Sequence, residues 1–361
     1  MAGVQGLEGM SLKKNNAKRP TDALSIPTLK DVAERAGVST ATVSRCLNSP
    51  DLVVDSTRDR VMKAVRELGY APNYGAQILA AKRTNTIGAI IPTMENAIFA
   101  RGLQAFQEEL GRHGQTLLVA SSAYRQDLEA EQIRNLVARG ADALLLIGHD
   151  RVPDAYDFLD RRALPYLVAW TFNPDAGRLS IGFNNKAAMR DFAMEVLQRG
   201  HRRIGIITAD PTHNDRARER VEGIVEALES YGLDPAALQI IETHYSIENG
   251  ATAFRQLMEG DDPPTAVMCG NDVLAVGALD MARQMGIAVP EAVSITGFDD
   301  IELAQISTPR LTTVHVPHRE MGRRAAEILI RMLGGADPGP STQLQTRIML
   351  RETLGPVRPD A

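Results

Sequence analysis

The sequence predicts an α/β protein in which a small all-α helix-turn-helix unit precedes a two-lobed core of doubly wound sheets. Near the N-terminus, two short amphipathic segments flank Gly37, and each starts with a residue that caps helices. From Thr86 onward, short apolar runs alternate with amphipathic segments, which is typical of parallel strands covered by helices on both faces. At 361 residues, the chain is too long for one small core.

The first predicted element is a helix-turn-helix from Leu29 to Asn48. Thr28 and Asp31 have the spacing of a capping box at the start of the first helix. Gly37 accepts a left-handed C-cap conformation without steric cost, and Ser39 can cap the second helix. Apolar residues recur at helical spacing on one face of each helix, namely Leu29, Val32, Ala33, Ala36, Val43, Cys46 and Leu47. The pattern alone also occurs in proteins that never touch nucleic acid.

Charge is unevenly distributed along the chain. Residues 1–85 contain 13 Lys and Arg against 8 Asp and Glu, a net charge of +5, whereas the remaining residues contain 27 and 37, a net charge of −10. A basic head on an acidic body is expected of a DNA-binding module joined to a separate domain.

Residues 1–27 are polar and aperiodic, so we interpret them as a disordered leader; they lack the apolar core of a signal peptide.

The helical unit is predicted to extend over residues 28–72, with a third helix after the helix-turn-helix. Residues 73–85 then predict a helix of about three turns with a flexible exit. The plain interpretation of this segment is a linker helix that packs on a neighbouring part of the protein.

The stretch from Thr28 to Arg45 closely resembles the DNA-binding headpiece of the lactose-repressor family, and the match is long and contiguous. The resemblance implies that a homodimer binds a near-palindromic operator in double-stranded DNA. It places nine residues at the DNA: Thr28, Ser39, Thr40, Ala41, Thr42, Ser44, Arg45, Asn48 and Asn73. Among them, Thr40, Ala41 and Arg45 would read base edges, and most of the others would fix the register through phosphates.

The resemblance also implies that residues 73–85 are a hinge that orders on the operator and pairs with the hinge of a second subunit. Leu79 would then wedge between central base pairs, because small neighbours let the helix approach the minor groove closely. The residues implied at the minor groove are Ala76, Leu79, Ala80 and Lys82. Beyond Leu350 there is no heptad repeat, so we expect a dimer rather than a tetramer held by a coiled coil.

The core is predicted to have two lobes. Candidate strands are Ile87–Ile91, Thr116–Ala120, Ala143–Ile147, Tyr166–Ala169, Ile204–Thr208, Ala266–Cys269 and Val293–Thr296. We expect residues 86–182 plus 316–340 to form the N-terminal lobe and residues 183–315 plus 341–355 to form the C-terminal lobe. This arrangement resembles the periplasmic sugar-binding fold, whose cleft closes on a ligand.

Candidate ligand-binding residues follow the predicted strands, since doubly wound sheets bind ligands beyond the carboxyl ends of their strands. They are Asn96, Phe99, His149, Trp170, Arg220, Tyr245, Asn271 and Asp299. Carboxylates, amides, an Arg and aromatic faces suit a small polyhydroxylated effector, such as a sugar or sugar acid, and a nucleoside remains open. The family resemblance favours Arg220, Asn271 and Asp299. The plain alternatives are that Asn271 only caps a helix and that Trp170 is a core residue.

Other classes of function find less support in the sequence. The common nucleotide-binding, hydrolase and metalloprotease motifs are missing, so we expect neither an enzyme nor a cofactor. His315 and His318 have metal-like spacing, but we interpret them as structural or incidental, because no further ligands accompany them. The alternatives are a stand-alone sugar-binding protein or a sugar-processing enzyme with an accessory N-terminal domain. Without a membrane-spanning run, we expect a cytoplasmic, nucleoid-associated protein.

Overall fold

The computed structural model describes residues 27–71, 83–95 and 97–357, except for the side chain of Asn48. The chain divides into two compact units, with the boundary after Ala80. The predicted leader and hinge helix fall on residues that are wholly or largely outside the described part. No helix within the described part is long and apolar enough to cross a bilayer.

The N-terminal unit contains three helices around a small apolar core. They are α1 (Leu29–Ala36), α2 (Thr40–Asn48) and α3 (Asp55–Leu68). The Thr28 hydroxyl accepts the amide of Asp31 at 3.4 Å, and the Asp31 carboxylate accepts the amide of Thr28 at 2.7 Å, so the predicted capping box is present. Gly37 ends α1 with φ 65° and ψ 41°, which confirms the left-handed C-cap.

The second unit alternates strands and helices. Its helices are α4 (Ala97–Arg112), α5 (Gln126–Ala138), α6 (Pro153–Arg161), α7 (Asn185–Gln198), α8 (Asp215–Ser230), α9 (Ile247–Met258), α10 (Asp272–Gln284), α11 (Glu302–Ile306) and α12 (His318–Leu333). Its strands are β1 (Thr86–Ile91), β2 (Thr116–Ser121), β3 (Ala143–Ile147), β4 (Tyr166–Ala169), β5 (Ser180–Gly182), β6 (Ile204–Thr208), β7 (Gln239–Glu242), β8 (Ala266–Cys269), β9 (Ser294–Thr296), β10 (Thr313–His315), β11 (Thr342–Gln343) and β12 (Arg347–Met349).

Ten of these strands form two parallel sheets, one in each lobe. The first has six strands in the order β11-β5-β4-β3-β1-β2, and the second has four in the order β7-β6-β8-β9. The strand order reverses beside β1 in the first sheet and beside β6 in the second. Ligand clefts of doubly wound folds lie outside such switch points, so the topology directs attention to the loops after β1, β3, β6 and β8.

The lobe boundary expected at residue 341 is wrong. β11 pairs with β5 at the edge of the first sheet, and the Ser180 amide donates to the Ser341 hydroxyl at 3.0 Å. The short β11 therefore pairs with the outer edge of β5 and belongs to the first lobe. The chain then continues to β12, which pairs with β10 in a separate two-stranded ribbon. A strand of two residues has no periodicity that a sequence pattern could reveal.

Helix α12 joins the first lobe by close packing on α4. A Cβ atom added to Gly322 would lie 1.9 Å from the carbonyl oxygen of Gly102, so the backbones of the two helices approach each other directly. Met321, Ala325 and Leu329 on α12 are buried in the main core of this unit. This contact brings His318, the first residue of α12, next to the residues that follow β4.

Candidate ligand cleft and DNA-binding face

The exposed face of α2 carries the residues that the sequence assigned to base contacts. Thr40, Ala41 and Arg45 are exposed, whereas Val43 and Cys46 are buried in the core of the three helices. The Ser39 hydroxyl accepts the amide of Thr42 at 3.1 Å and caps the helix. Ser39 is also exposed, and Thr28 lies at the exposed start of α1; Thr42 and Ser44 are half-buried.

The exposed face of α2 bears no acidic residue, so it presents nothing that repels phosphate. The rest of the assigned DNA contacts cannot be placed in the same way. The side chain of Asn48 and all of Asn73, Ala76, Leu79, Ala80 and Lys82 lie outside the described residues.

A cleft between the two sheets of the second unit brings together six of the eight predicted ligand-binding residues: Phe99, Trp170, Arg220, Tyr245, Asn271 and Asp299. Five others that the sequence analysis did not select as ligand-binding residues line the same cavity, namely Ile98, Tyr124, Phe183, Asn214 and Arg216. The lining combines aromatic, amide and charged side chains, which is the mixture that small-molecule sites use.

Arg220 is the best-positioned cation of this cavity. Its guanidinium donates to the Asn185 side-chain oxygen at 2.9 Å and to the Tyr245 hydroxyl at 3.2 Å, and it lies 5.0 Å from the centre of the Phe298 ring. These contacts fix its plane. The Nε–H group is buried without a hydrogen-bond partner among the described residues, so a donor remains available at the cavity.

Asn271 supplies a second available donor. Its side-chain oxygen accepts the amide of Leu274 at 3.0 Å, which makes it the N-cap of α10. Its side-chain nitrogen is buried and has no partner within the described part of the chain. The helix-capping interpretation and the ligand-binding interpretation therefore use different atoms of the same amide.

Asp299 is the carboxylate of the cavity and is only 5% exposed. Burial raises its pKa to about 7, and the nearby Arg220 offsets part of that effect. Its backbone has φ 109°, a conformation that side chains rarely adopt. Trp170 (φ 62°) and Tyr124 (φ 58°) are also in the left-handed region. Such strained backbone is concentrated at functional sites, and here it lies around the cleft.

The aromatic wall of the cleft is rigid. The Phe99 and Trp170 rings lie 5.5 Å apart, and the Phe183 and Phe298 rings lie 5.8 Å apart. The Trp170 indole N–H donates to Nδ1 of His318 at 3.2 Å, which fixes the orientation of the ring. Trp170 is therefore both a buried residue and part of the cavity wall, so the two interpretations of it are compatible.

The other two predicted residues have different outcomes. Asn96 lies outside the described residues. His149 does not line the cavity; its amide donates to the Asp215 carboxylate at 2.5 Å, and burial lowers the pKa of its imidazole. The omitted residues gave weak signals: Tyr124 and Phe183 are single aromatics in loops, although Phe183 does follow a strand.

The lobes are joined across the cleft by polar contacts. Arg218 on α8 donates to both carboxylate oxygens of Asp150, which follows β3, at 2.8 and 2.9 Å. Arg101 on α4 forms an ion pair with Glu302 on α11. These contacts link elements that close over the cavity from opposite sheets.

A helix-turn-helix unit ahead of a two-lobed cleft protein is the architecture of a DNA-binding transcription regulator. Comparison with known families agrees with this class: residues 28–73 match "Bacterial regulatory proteins, lacI family", and residues 193–354 match "Periplasmic binding protein-like domain". The HTH-type transcriptional repressor CytR of Escherichia coli is 36% identical over 88% of this chain and 93% of its own length. The HTH-type transcriptional regulator GntR of Pseudomonas aeruginosa is 32% identical over 95% of this chain and 100% of its own.

Solved structures have the same architecture. A LacI-family transcriptional regulator from Silicibacter pomeroyi superposes with a TM-score of 0.83 at 29% identity, covering 91% of this chain and 99% of the other. The lac repressor dimer bound to operator and the anti-inducer ONPF gives a TM-score of 0.80 at 25% identity, with the same coverage.

The chain belongs to the lacI family of bacterial regulatory proteins. It is a DNA-binding transcriptional repressor of that family and not an enzyme, as the sequence predicted. Because its relatives with the same two units are transcription regulators, the alternatives of a stand-alone sugar-binding protein and a sugar-processing enzyme are set aside.

Proposed function

We propose that this repressor binds a near-palindromic operator as a homodimer and is controlled by a small-molecule effector, a sugar or sugar derivative, in the cleft between its lobes. The lac repressor, which is similar over 91% of this chain, forms a dimer on its operator with a small molecule bound. The observation that carries the effector proposal is a pair of buried donors, on Arg220 and Asn271, that have no partner among the described residues and lie beside the buried Asp299 carboxylate.

On the operator, Thr40, Ala41 and Arg45 read base edges in the major groove. Arg45 suits a guanine, because its guanidinium can donate to O6 and N7 together, and Ala41 suits a thymine methyl. Ser39, Thr42, Ser44, Asn48 and Asn73 hold the register through phosphates. Leu79 wedges into the minor groove between the half-sites, with Ala76, Ala80 and Lys82 beside it.

Replacement of Arg45 by Ala tests the operator proposal. We expect a loss of specific affinity of tenfold or more, because a bidentate base contact contributes about 1–3 kcal/mol of discrimination and the dimer loses two of them. The measurement is fluorescence anisotropy on a duplex selected from random sequences by the wild-type protein.

Arg66→Ala is the matched control, since it removes the same charge from an exposed position on α3. It should weaken binding to selected and random duplexes alike, and only slightly. If Arg45→Ala bound the selected duplex as well as Arg66→Ala did, α2 would not read its sequence.

In the cleft, the Asp299 carboxylate accepts hydrogen bonds from two neighbouring hydroxyls while Arg220 and Asn271 donate to ring or hydroxyl oxygens. The Trp170 and Phe99 rings cover the apolar face of the sugar. Because these residues come from both lobes, the effector binds the closed arrangement more tightly than an open one. That difference in affinity is what allows it to change the spacing of the two headpieces in the dimer.

A thermal-shift screen of D-glucose, cellobiose, D-gluconate, D-ribose and cytidine tests the effector proposal. A ligand that binds only the folded protein raises its melting temperature by mass action, by several degrees at about 100 times its dissociation constant. Arg220→Leu should abolish the shift while operator binding persists. A shift of equal size in that variant would place the ligand elsewhere.

A further inference from the structure

His318 contacts Trp170 of the first lobe and lies close to Asp299 of the second. It is 3% exposed and does not line the cavity. Its Nδ1 accepts the indole N–H of Trp170 from the first lobe at 3.2 Å. Its Nε2 lies 3.8 Å from Oδ1 of Asp299, which belongs to the second lobe, and has no hydrogen-bond partner among the described residues. His318 thus makes a hydrogen bond through Nδ1 and makes none through Nε2 among the described residues.

The protonation state follows from these contacts. Burial lowers the pKa of His318 to about 3, so the imidazole is neutral. Because Nδ1 accepts a hydrogen bond, the proton of the neutral ring is assigned to Nε2. The Nε2–H group therefore lies 3.8 Å from the Asp299 carboxylate oxygen, about 1 Å too far away to bond with it.

The segment that leads into His318 also contacts Asp299 through its backbone. It is the first residue of α12 and follows β10, whose His315 forms an isolated bridge with Asp299 along the backbone. The His315 ring lies 2.9 Å from the carboxylate of Asp300. The two histidines, which the sequence analysis interpreted as structural or incidental, therefore lie beside two consecutive aspartates, one at hydrogen-bond distance and one beyond it.

We propose that His318 is a positioning residue of the effector site, which holds the Trp170 ring through Nδ1 and couples that ring to the Asp299 carboxylate through Nε2–H. When the cleft closes on a ligand, the second contact shortens to a hydrogen bond, so that the aromatic wall and the carboxylate move as one unit. This inference rests on the proposed role of the cleft as the effector site.

The test uses the fact that Trp170 is the only Trp of the chain, so its indole N–H gives a single resonance in the full-length protein labelled with indole-¹⁵N tryptophan. In ligand-free wild type we expect a hydrogen-bonded resonance that exchanges slowly with solvent. His318→Leu should move it upfield and accelerate exchange, while His318→Gln, which keeps an acceptor and a donor, should restore it in part. Asp299→Ala should shift the resonance when His318 is present but not in the His318→Leu background.

An unchanged indole resonance in His318→Leu would overturn the proposal, as would an equal effect of Asp299→Ala in both backgrounds. If His318→Leu fails to fold, as judged by its melting transition, His318→Phe replaces it, since that ring keeps the volume and removes both nitrogens. These measurements require no ligand and therefore decide whether His318 orients the Trp170 ring, whether or not an effector is found.

The compound of the screen that gives the largest thermal shift then serves as the probe for closure. We expect its dissociation constant to rise about tenfold in His318→Leu, the value of one charge-assisted hydrogen bond, and much less in His318→Gln. Equal weakening of ligand binding in both variants would mean that His318 contributes only by packing. If no compound shifts the wild type, the proposed effector class fails, while the indole measurements still stand.

Discussion

Asp299 and Asp300 are adjacent carboxylates with opposite surroundings. Asp300 is paired: Arg351 donates to it at 2.5 Å, and the His315 ring lies 2.9 Å away. Asp299 has no ion pair of comparable length within the described residues, and its pKa is raised to about 7 by burial. The two side chains therefore contribute to stability with opposite signs at neutral pH.

Replacing Asp299 by Asn should stabilise the ligand-free protein at about pH 8 and change it little at about pH 4. An acid whose pKa is raised on folding favours the folded state below its unfolded pKa, and that contribution is lost as the pH rises through the folded value. The gain in the free energy of unfolding is at most about 4 kcal/mol, and the effector response should disappear. Denaturant unfolding at the two pH values measures it.

Asp300→Asn is the control for this prediction. It leaves Arg351, whose side chain is 13% exposed, without its carboxylate partner, so we expect a loss of roughly 3 kcal/mol at about pH 8. Destabilisation by both substitutions to the same extent would mean that Asp299 is also held in a stabilising contact.

Much of the site could be predicted residue by residue, because strand ends in doubly wound sheets meet at one edge. That rule, together with the family resemblance, selected Arg220, Asn271 and Asp299, which line one cavity in the structure. It could not find His318, which begins a helix far along the chain and approaches the cleft only through the packing of α12 on α4. Nor could it exclude His149, which also follows a strand but does not line the cavity.

At the scale of elements, the position of Trp170 depends on a glycine in α4. A Cβ atom added to Gly102 would lie 2.5 Å from two carbon atoms of the Trp170 ring. Because real Cβ contacts are never that short, a larger residue forces the indole to move. The close approach of α4 and α12 leaves the ring little space for such a movement.

Gly102→Ala should therefore displace the ring and weaken effector binding by about tenfold or more, although Ala favours a helix. Gly111→Ala in the same helix is the matched control: nothing lies within 4 Å of its added Cβ, so it should stabilise the protein slightly, by up to about 1 kcal/mol. Tryptophan emission and effector titration of the two variants distinguish them. Normal emission and binding in Gly102→Ala would show that the wall tolerates the extra methyl.

The central strands were predictable because burial on both faces makes them continuously apolar. β3 is an example, with all five residues buried. The missed strand β7 lies at a sheet edge and alternates between half-buried and exposed residues, and the missed strand β5 is buried but has only three residues. Their pairing depends on neighbours that are distant in sequence, which a local pattern does not contain.

For the whole molecule, the contacts between lobes determine how readily the cleft closes. Arg218→Gln removes the bidentate contact to Asp150 and should raise the effector concentration needed for a half-maximal change in operator binding about fivefold, since a partly exposed ion pair contributes about 1 kcal/mol. Arg190→Gln is the control, because Arg190 pairs with Glu226 within one lobe. Equal shifts in the two variants would contradict a role for the Asp150 contact in closure.

The route of the chain has a consequence for synthesis. The three-helix headpiece is complete within residues 27–71, whereas the first lobe still lacks α12 and β11 until residue 343 has been made. On the ribosome, the headpiece can fold long before the first sheet has its last strand or its covering helix. A chain that ends near residue 310 would retain a folded headpiece joined to a lobe whose apolar face is uncovered. We expect such a chain to aggregate and not to bind a ligand.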